Sequence, residues 1–405
     1  MKIPKKFLYL MVCSERWDEG GAHIIHPLEI SKELIRRGHE VILFIPKVKR
    51  LAQEIDIPYV MVPAPRIFKG SSFIFFEFLL PFYVAKALKK AKYKNKQALL
   101  YTRHREIGLA SLMIRDIFKT PFIDEYNDVV TETLDFFIKH KMYSRWERFL
   151  KSNPLSKFII TGFEKIIFKN ADAVIAVTPE LKKYILKLVK INQRKVTVIP
   201  NGCNINTINI QDKMLCRKKL GLAQDDIYLC HIGSLNPWQG IDDVLDSLAL
   251  LIKESPKTKL LLIGEGPYRD NLERKIADLN LEDHVIFTGH LPHEKINTYI
   301  GASDICMFLK TLTSYGLSSL KLYEYLAAGK PIIGRDIPSI SFIKKNDVGI
   351  LLPLNASPKI VKDAIKKFLN RPDLELVCKR ARHLAETVYN WGKSAESIEN
   401  ISQEL

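Results

Sequence analysis

The chain lacks several features that would assign it at once to a class of protein. Its six cysteines are scattered and form no C-x-x-C pair, which disfavours a disulfide framework or a zinc site and predicts buried free thiols in a reducing cytoplasm. No G-x-G-x-x-G follows the first apolar run, so a nicotinamide enzyme is disfavoured. The aromatic run at residues 73–85 is interrupted by Glu77 and Pro81, and residues 1–13 fit a first strand better than a signal peptide. We therefore expect no transmembrane segment.

Acidic residues are fewer than basic residues. The 405 residues include 62 Lys or Arg against 45 Asp or Glu, a net charge of +17, which points to an anionic partner such as nucleic acid, anionic lipid or a phosphorylated substrate. The length allows two domains with separate cores, and the 47% hydrophobic content indicates a globular protein.

The positive charge is concentrated in two stretches of the first half. Residues 81–101 hold six lysines and no acid, and residues 139–169 hold eight basic residues and two acids, interleaved with Phe and Ile. This pattern is typical of helices that lie in an anionic membrane interface, although ordinary amphipathic helices with a wet basic face would give it too. Nucleic acid is disfavoured because no recognised binding motif accompanies the charge.

Strands and helices alternate through the first 200 residues, which predicts a parallel sheet covered on both faces. The predicted strands are residues 7–12, 41–45, 98–102, 122–125, 173–177 and 196–199. Ligands of such sheets lie beyond the carboxyl ends of strands. The candidates there are Gly20 and Gly21, Arg103 and His104, and the run 125–128 that contains Asn127; each of them could instead be an ordinary turn residue.

A second alternating series starts after the turn at Pro200-Asn201-Gly202, where we place the domain linker. Its predicted strands are residues 227–232, 259–263, 285–288 and 304–309, with glycine-containing loops after the first two.

The stretch from 312 to 334 carries the most chemistry. A loop leads into a helix that Ser318 or Ser319 is expected to cap, and the free N–H groups at such a start suit a phosphate. Lys321 lies in the first turn and could add a point charge to a diphosphate. Glu324 could accept two hydrogen bonds from a vicinal diol such as that of ribose. The alternative is a capped amphipathic helix with a solvated glutamate.

Taken in order, these pieces resemble the group 1 retaining glycosyltransferases of family 4, which have the GT-B fold. The resemblance covers nearly the whole chain and rests on the following segments: Gly20-Gly21 with RGHEV (37–41), NADAVIAVT (170–178), VIPNG (198–202), HIGSL (231–235), LIGEGP (262–267), VIFTG (285–289), YEYLAAGKP (323–331) and YNW (389–391).

The resemblance implies an α/β protein with two Rossmann-like domains that face a cleft. Residues 1–202 would present the acceptor, residues 203–387 would hold the nucleotide-sugar, and residues 388–405 would form a helix that crosses back to the first domain. Glu324 would bind ribose, and Lys321 with the N–H groups around residues 317–319 would bind the diphosphate. The other donor-side residues implied are Gly20, Gly21, Gly233, Ser234, Gln239, Gly240, Glu265, Leu317, Ser318 and Ser319.

The chain departs from the family at four of these positions. Ser234 stands where the family commonly has Arg, Gln239 where it has Lys, Gly316 where it has its first glutamate, and Asn127 where it has a histidine near the sugar. Lys321 could replace part of the lost charge. Asn127, Lys321 and Glu324 are the three residues to which we assign catalytic roles.

The prediction is therefore a metal-independent, retaining glycosyltransferase that needs no cofactor, consistent with the absence of a D-x-D motif. It would transfer a sugar from a nucleoside-diphosphate sugar to a glycan or lipid-linked acceptor, from the cytoplasmic side of an anionic membrane surface. Two alternatives stay open: a nucleotide-sugar epimerase on the same fold, and a non-catalytic protein that binds nucleotide-sugar or glycan.

Overall fold

The computed structural model describes residues 5–18, 20–65, 71–90, 93, 96–103, 108–139, 153–310 and 318–405. The chain divides into two compact units. Unit 1 comprises Met1–Asn201 together with Trp391–Leu405, and unit 2 comprises Gly202–Asn390. Among the described residues, no helix combines the length and the apolar character needed to cross a bilayer.

Unit 1 is built on a seven-stranded parallel sheet. Its strands are β1 (Phe7–Cys13), β2 (Glu40–Pro46), β3 (Tyr59–Val62), β4 (Gln97–Arg103), β5 (Phe122–Tyr126), β6 (Ala173–Ala176) and β7 (Val196–Val198). Its helices are α1 (Ala22–Arg36), α2 (Ser71–Leu88), α3 (Leu109–Phe118), α4 (Val130–Lys139), α5 (Pro154–Asn170), α6 (Pro179–Leu188) and the final helix α15 (Trp391–Glu404). The central strand β1 is buried along its whole length, as expected for a strand covered on both faces.

The strand order of this sheet is β3-β2-β1-β4-β5-β6-β7. The order reverses between β1 and β4, so the loops that leave these two strands diverge and open a crevice at their carboxyl ends. Because parallel crossovers are right-handed, the connections that run toward β7 place α2, α3 and α5 on one face, and α1 lies on the other.

The final helix α15 packs on α1. Trp391 meets the ring of His26 edge-on at 5.1 Å between centroids. Farther along the helix, Tyr9 Oη donates to Ser402 Oγ over 2.8 Å. The last helix is therefore part of unit 1, although the chain returns to it only after unit 2.

Unit 2 is built on a six-stranded parallel sheet in the order β10-β9-β8-β11-β12-β13. Its strands are β8 (Ile227–Ile232), β9 (Thr258–Ile263), β10 (Val285–Gly289), β11 (Ile305–Phe308), β12 (Ile332–Arg335) and β13 (Gly349–Leu352). Its helices are α7 (Lys213–Leu220), α8 (Ile241–Leu251), α9 (Arg269–Asp278), α10 (His293–Ala302), α11 (Leu320–Ala327), α12 (Phe342–Lys345), α13 (Pro358–Leu369) and α14 (Leu374–Thr387).

The core of unit 2 has two halves, one on each face of the sheet. Successive side chains of strand β8 point to opposite faces of the sheet and so enter different halves of the core. Leu229 packs into one half, and Tyr228 and Cys230 pack into the other. Here the strand order reverses between β8 and β11, so the residues after Ile232 and after Phe308 border the crevice of this sheet.

The predicted fold class is confirmed: both sheets are parallel, doubly wound and covered by helices. The described cysteines are free thiols, five buried and Cys378 partly exposed. The prediction of a serine side-chain cap on α11 is wrong. Ser319 is the N-cap residue but its side chain makes no capping bond, and Ser318 Oγ instead shares a hydrogen bond of 2.8 Å with Tyr323 Oη.

Candidate functional site

The crevice of unit 2 is floored by loops whose backbones touch. Gly240 has φ +71°, and a Cβ there would lie 2.0 Å from the Leu309 carbonyl oxygen. Gly264 has φ +135°, and its Cβ would lie 2.2 Å from the Gly233 carbonyl oxygen. Only glycine fits such contacts. The loop after β8 is further held by Gly233 N–H, which donates to the Ile263 carbonyl over 2.9 Å.

Lys321 reaches across the sheet to this loop. Its Nζ donates to Gln239 Oε1 over 3.1 Å and lies 5.7 Å from the centroid of the Phe308 ring. A Cβ on Gly233 would come 3.0 Å from the same Nζ. The structure therefore brings together Gly233, Gln239 and Lys321, which the family resemblance implied would bind the donor. Burial, reinforced by the charge of Lys310, lowers the pKa of Lys321 to about 7.

Glu324 is held by a histidine that the sequence analysis did not identify. It lies one turn beyond Lys321 on α11 and is 7% exposed. His293, the first residue of α10, places Nε2 2.7 Å from Glu324 Oε1. No other described residue forms a hydrogen bond or ion pair with this carboxylate. The expectation of a solvated glutamate is thereby excluded. A polar residue just past the end of β10 was the available signal for His293, because strand ends border the crevice.

Two other donor-side candidates contact residues near them in sequence. Ser234 Oγ accepts from Asn236 Nδ2 over 2.6 Å. The Glu265 carboxylate forms an ion pair with Arg269, whose guanidinium also stacks 4.7 Å above the Phe287 ring. Leu317 and the rest of residues 311–317 lie outside the described residues, so the structure gives no geometry for the loop that leads into α11.

In unit 1, Gly20 and Gly21 precede α1 as expected. Gly21 is the N-cap residue with φ +149°, and a Cβ there would lie 3.2 Å from the His23 ring. A Cβ on Gly20 would meet nothing within 4 Å. Only Gly21 therefore has a conformational reason to be glycine.

Asn127 is anchored to a buried carboxylate at the end of β5. Its Nδ2 donates to Glu125 Oε1 over 2.8 Å, and His26 Nε2 lies 3.2 Å from the same oxygen. Tyr101 Oη donates to the other oxygen. Burial lowers the pKa of His26 to about 4, so this histidine is neutral near pH 7. Because a carboxylate only accepts hydrogen bonds, Asn127 must turn its Nδ2 toward Glu125 and its carbonyl oxygen away from it.

The neighbouring Arg103 completes the buried network of unit 1. Its Nη1 donates to Glu15 Oε2 over 2.7 Å and to the His23 carbonyl over 3.3 Å. It therefore ties the end of β4 to the loop after β1 at the reversal of strand order. Its predicted neighbour His104 lies outside the described residues.

None of the described residues form a group of three or more metal-binding side chains. The predicted site residues that the structure describes fall into two sets, one in each unit. Unit 2 contains Gly233, Ser234, Gln239, Gly240, Glu265, Ser318, Ser319, Lys321 and Glu324, and unit 1 contains Gly20, Gly21 and Asn127.

Each of the two units matches a known protein-family model. A family model described as "Glycosyltransferase Family 4" matches residues 25–207, and one described as "Glycosyl transferases group 1" matches residues 212–391. Together they span most of the chain. The chain belongs to the group 1 glycosyltransferases.

Similar sequences include several named glycosyltransferases. An uncharacterized glycosyltransferase of Methanocaldococcus jannaschii is 30% identical over 62% of this chain and 64% of its own length. The alpha-monoglucosyldiacylglycerol synthase of Streptococcus pneumoniae is 26% identical over 77% of this chain and 67% of its own. The D-inositol 3-phosphate glycosyltransferase of Nocardia farcinica is 24% identical over 94% and 84%.

Solved structures of this fold align over the whole chain. A sucrose-phosphate synthase from Thermosynechococcus elongatus gives a TM-score of 0.77 with 19% identity and covers 99% of both chains. Anabaena HepE in complex with UDP gives a TM-score of 0.73 with 16% identity over 99% of this chain and 100% of its own. At such identities the likeness establishes the two-domain GT-B fold.

Proposed function

We propose that the protein is a retaining glycosyltransferase that transfers a sugar from a nucleoside-diphosphate sugar to a lipid-linked glycan acceptor, without a metal ion. The observation that carries the proposal is the pairing of Lys321 and Glu324 on one turn of α11. The lysine faces the loop of Gly233 and Gln239, and the carboxylate is fixed by His293. A cation and a carboxylate one turn apart match the diphosphate and the ribose diol of one donor.

In this proposal, residues 203–387 bind the donor and residues 1–202 bind the acceptor. Lys321 and the start of α11 stabilise the charge that develops on the leaving diphosphate. Glu324 accepts hydrogen bonds from the ribose hydroxyls. Asn127 borders the sugar with its carbonyl oxygen, because Glu125 holds its amide nitrogen. No side chain serves as a covalent nucleophile, and the leaving phosphate helps to deprotonate the acceptor on the face that it leaves.

The first test screens nucleotide-sugars by thermal shift, since a ligand that binds only the folded protein raises its apparent stability. The donor found is then incubated with and without acceptors, in the presence of EDTA. Transfer with retained anomeric configuration, read by proton NMR, is the expected result. An inverted product, a requirement for metal, epimerisation without acceptor, or binding with no reaction would each contradict part of the proposal.

A lipid acceptor is supported by an exposed apolar surface on unit 1. Helices α2, α3 and α5 lie side by side on one face of the sheet. Their outer sides expose apolar residues at helical spacing, and we call this set the apolar face: Ile74, Phe78, Phe82, Leu109, Met113, Ile117, Leu155, Phe158, Ile159 and Ile166. Phe78 is 81% exposed and Phe158 is 75% exposed. Water-exposed apolar surface of this extent marks an interaction site.

The charges beside the apolar face favour an anionic bilayer as its partner. Exposed Lys86, Lys89 and Lys90 follow the α2 stripe, and exposed Lys165 and Lys169 lie on α5. Each basic residue near an anionic surface contributes on the order of 1 kcal/mol, and the phenylalanines add apolar insertion. A second copy of the chain would bring the same positive charges together. We therefore propose that the protein lies on the inner face of the cell membrane. The S. pneumoniae relative named for glucosyldiacylglycerol synthesis supports a lipid acceptor.

A further inference from the structure

The ammonium group of Lys321 is enclosed without a counter-ion from the described part of the chain. The Lys321 side chain is half-buried, and its Nζ lies between the Phe308 ring, 5.7 Å from the ring centroid, and the loop at Gly233. Its hydrogen-bond partner, Gln239, is a neutral amide that is itself buried. Among the described residues no carboxylate forms an ion pair with it. Enclosing a cation without an anion disfavours its charged form.

The other charged and titratable groups around Lys321 do not compensate. Lys310, which follows β11, adds repulsion. Glu324 on the same helix attracts the ammonium but is bonded to His293. His231 on β8 is buried, and burial together with Lys321 lowers its pKa, so it is neutral near pH 7. Cys230 on β8 has the smallest effect of these groups on the pKa of Lys321. The pKa of Lys321 is consequently lowered to about 7, where the amine and ammonium forms are comparably populated.

We propose that the nucleoside-diphosphate sugar binds the ammonium form of Lys321 and that, at neutral and alkaline pH, binding draws a proton from solvent onto Nζ in those molecules whose Lys321 is neutral. This inference rests on the proposed function, because it requires unit 2 to be the donor site. The step is a protonation only: the amine nitrogen takes a proton from the buffer, and no covalent bond to the donor forms. The diphosphate supplies the negative charge that the described protein groups do not.

The neighbours of Lys321 suit a residue that changes charge in place. Gln239 Oε1 accepts a hydrogen bond from either the amine or the ammonium, so the side chain keeps its position in both states. Gly233 lets the loop backbone lie close against Nζ, since a Cβ there would approach the nitrogen to 3.0 Å.

The pH dependence follows from linkage between binding and protonation. Well below pH 7 the lysine is already charged, so donor affinity is highest and almost no proton is taken up. Above pH 7 the free protein is increasingly neutral at Lys321, so affinity falls as the pH rises. With a pKa of about 7, the donor dissociation constant should rise about 50-fold between pH 7 and pH 9.

The experiment is calorimetric titration of the full chain at pH 8 with UDP-glucose, GDP-mannose and ADP-glucose, in buffers of low and high ionisation enthalpy. The diphosphate of such sugars is fully ionised at this pH, so a proton that is taken up goes to the protein. The donor that binds should be accompanied by uptake of about 0.9 proton. Lys321→Arg, whose guanidinium is always charged, should bind with no uptake from this position and with a flatter pH profile between pH 7 and 9.

Lys321→Met serves as the second variant and should bind more weakly, again without uptake at this position. Its thermal unfolding reports whether the fold is kept. Binding by wild type with the same heat in both buffers would overturn the proposal, as would uptake that persists in Lys321→Arg and so belongs to another group. If none of the three sugars bound, the proposed donor site itself would fail and this inference with it.

Discussion

At the scale of single residues, the position of the Glu324 carboxylate depends on a histidine from another helix. The 2.7 Å contact from His293 Nε2 occupies Oε1, and no described residue bonds to Oε2. One oxygen is therefore held by protein while the other is available to a ligand. A carboxylate fixed in this way presents a defined acceptor without the cost of ordering its side chain on binding.

Replacing Glu324 by Ala should weaken donor binding by about 1.5–3 kcal/mol, roughly ten- to more than hundred-fold in the dissociation constant, the range for hydrogen bonds to a charged group. Calorimetric titration with the donor measures the effect. Glu294→Ala, an exposed glutamate in the first turn of α10, is the matched control and should bind as wild type does. An unchanged donor dissociation constant in Glu324→Ala would contradict the assignment of Glu324 to the ribose.

His293→Ala should weaken donor binding only through Glu324. We expect a several-fold loss in the wild-type background, partly restored in His293→Gln, whose amide can also donate. In a chain that already carries Glu324→Ala, the same His293 substitution should cost nothing further, because the partner is gone. A double-mutant cycle with calorimetry tests this coupling. Additive losses would mean that His293 does not act by positioning Glu324.

The sequence predicted which loops meet at the site but not which side chains pair within it. Gly233, Gln239 and Lys321 were expected at the donor because of the resemblance to the group 1 glycosyltransferases. His293 was missed, since its contact with Glu324 joins residues 31 positions apart in the chain. The serine cap on α11 was wrong because Ser318 bonds to Tyr323 instead, a preference set by packing around the tyrosine rather than by local sequence.

At the scale of elements, apolar runs predicted the buried strands well, with ends shifted by at most one residue. Strand β1 was expected at residues 7–12 and spans Phe7–Cys13. The short edge strand β3 was not predicted, because its Tyr59–Val62 run is only partly buried and gives a weak pattern. Helix α2 continues through Pro81, although this residue interrupts the apolar run in the sequence. The apolar pattern therefore found the central strands and the edge strands β7 and β10, but missed the edge strand β3.

The apolar face gives a prediction at this scale. The double variant Phe78→Ser with Phe158→Ser should lose most flotation with vesicles that contain anionic phosphatidylglycerol, and wild type should retain part of its binding at high salt. Insertion of the two rings accounts for the retained part, because salt screens only the lysines. The matched control is Ile210→Ser with Leu376→Ser, two exposed apolar residues of unit 2.

Two other outcomes would count against the membrane assignment. Wild type that stays unbound at low salt would show that the apolar face is not a lipid surface. A concentration-dependent dimer that the double serine variant abolishes would assign the face to a second copy. Reversal of Lys86, Lys89 and Lys90 to Glu tests the charged part, whereas Arg145, Arg148 and Lys151, which the sequence also favoured, lie outside the described residues.

At the scale of the whole molecule, unit 1 is made of two chain segments and unit 2 of one. The segment Trp391–Leu405 returns to complete unit 1, and its Trp391 is 2% exposed. Glu399 of the same helix bonds to Arg37 Nε over 2.6 Å and to His39 over 3.0 Å. The last helix thus contributes both apolar packing and buried polar bonds to the unit that begins the chain.

Trp391→Ala in the full chain should destabilise unit 1 by about 3–5 kcal/mol, the usual cost of truncating a buried tryptophan. Denaturant unfolding with and without the donor distinguishes the transitions of the two units, because the donor raises the denaturant midpoint of unit 2 only. We expect the donor-insensitive transition, that of unit 1, to shift to a lower denaturant concentration in Trp391→Ala. The donor-sensitive transition of unit 2 should be unchanged. Leu405→Ala, at an exposed position, is the control. A shift confined to the donor-sensitive transition would contradict the assignment of α15 to unit 1.

The split composition of unit 1 has a consequence for how the protein is made. A ribosome delivers residues 1–201 first but cannot supply Trp391 until all of unit 2 has been translated. At 5–20 residues per second that interval is roughly 10–40 s. Throughout it the nascent sheet lacks its last helix, and the surface of α1 that α15 will cover stays open, while unit 2 is assembled from a single continuous stretch. The newborn chain is therefore most dependent on chaperones in the half that was synthesised first.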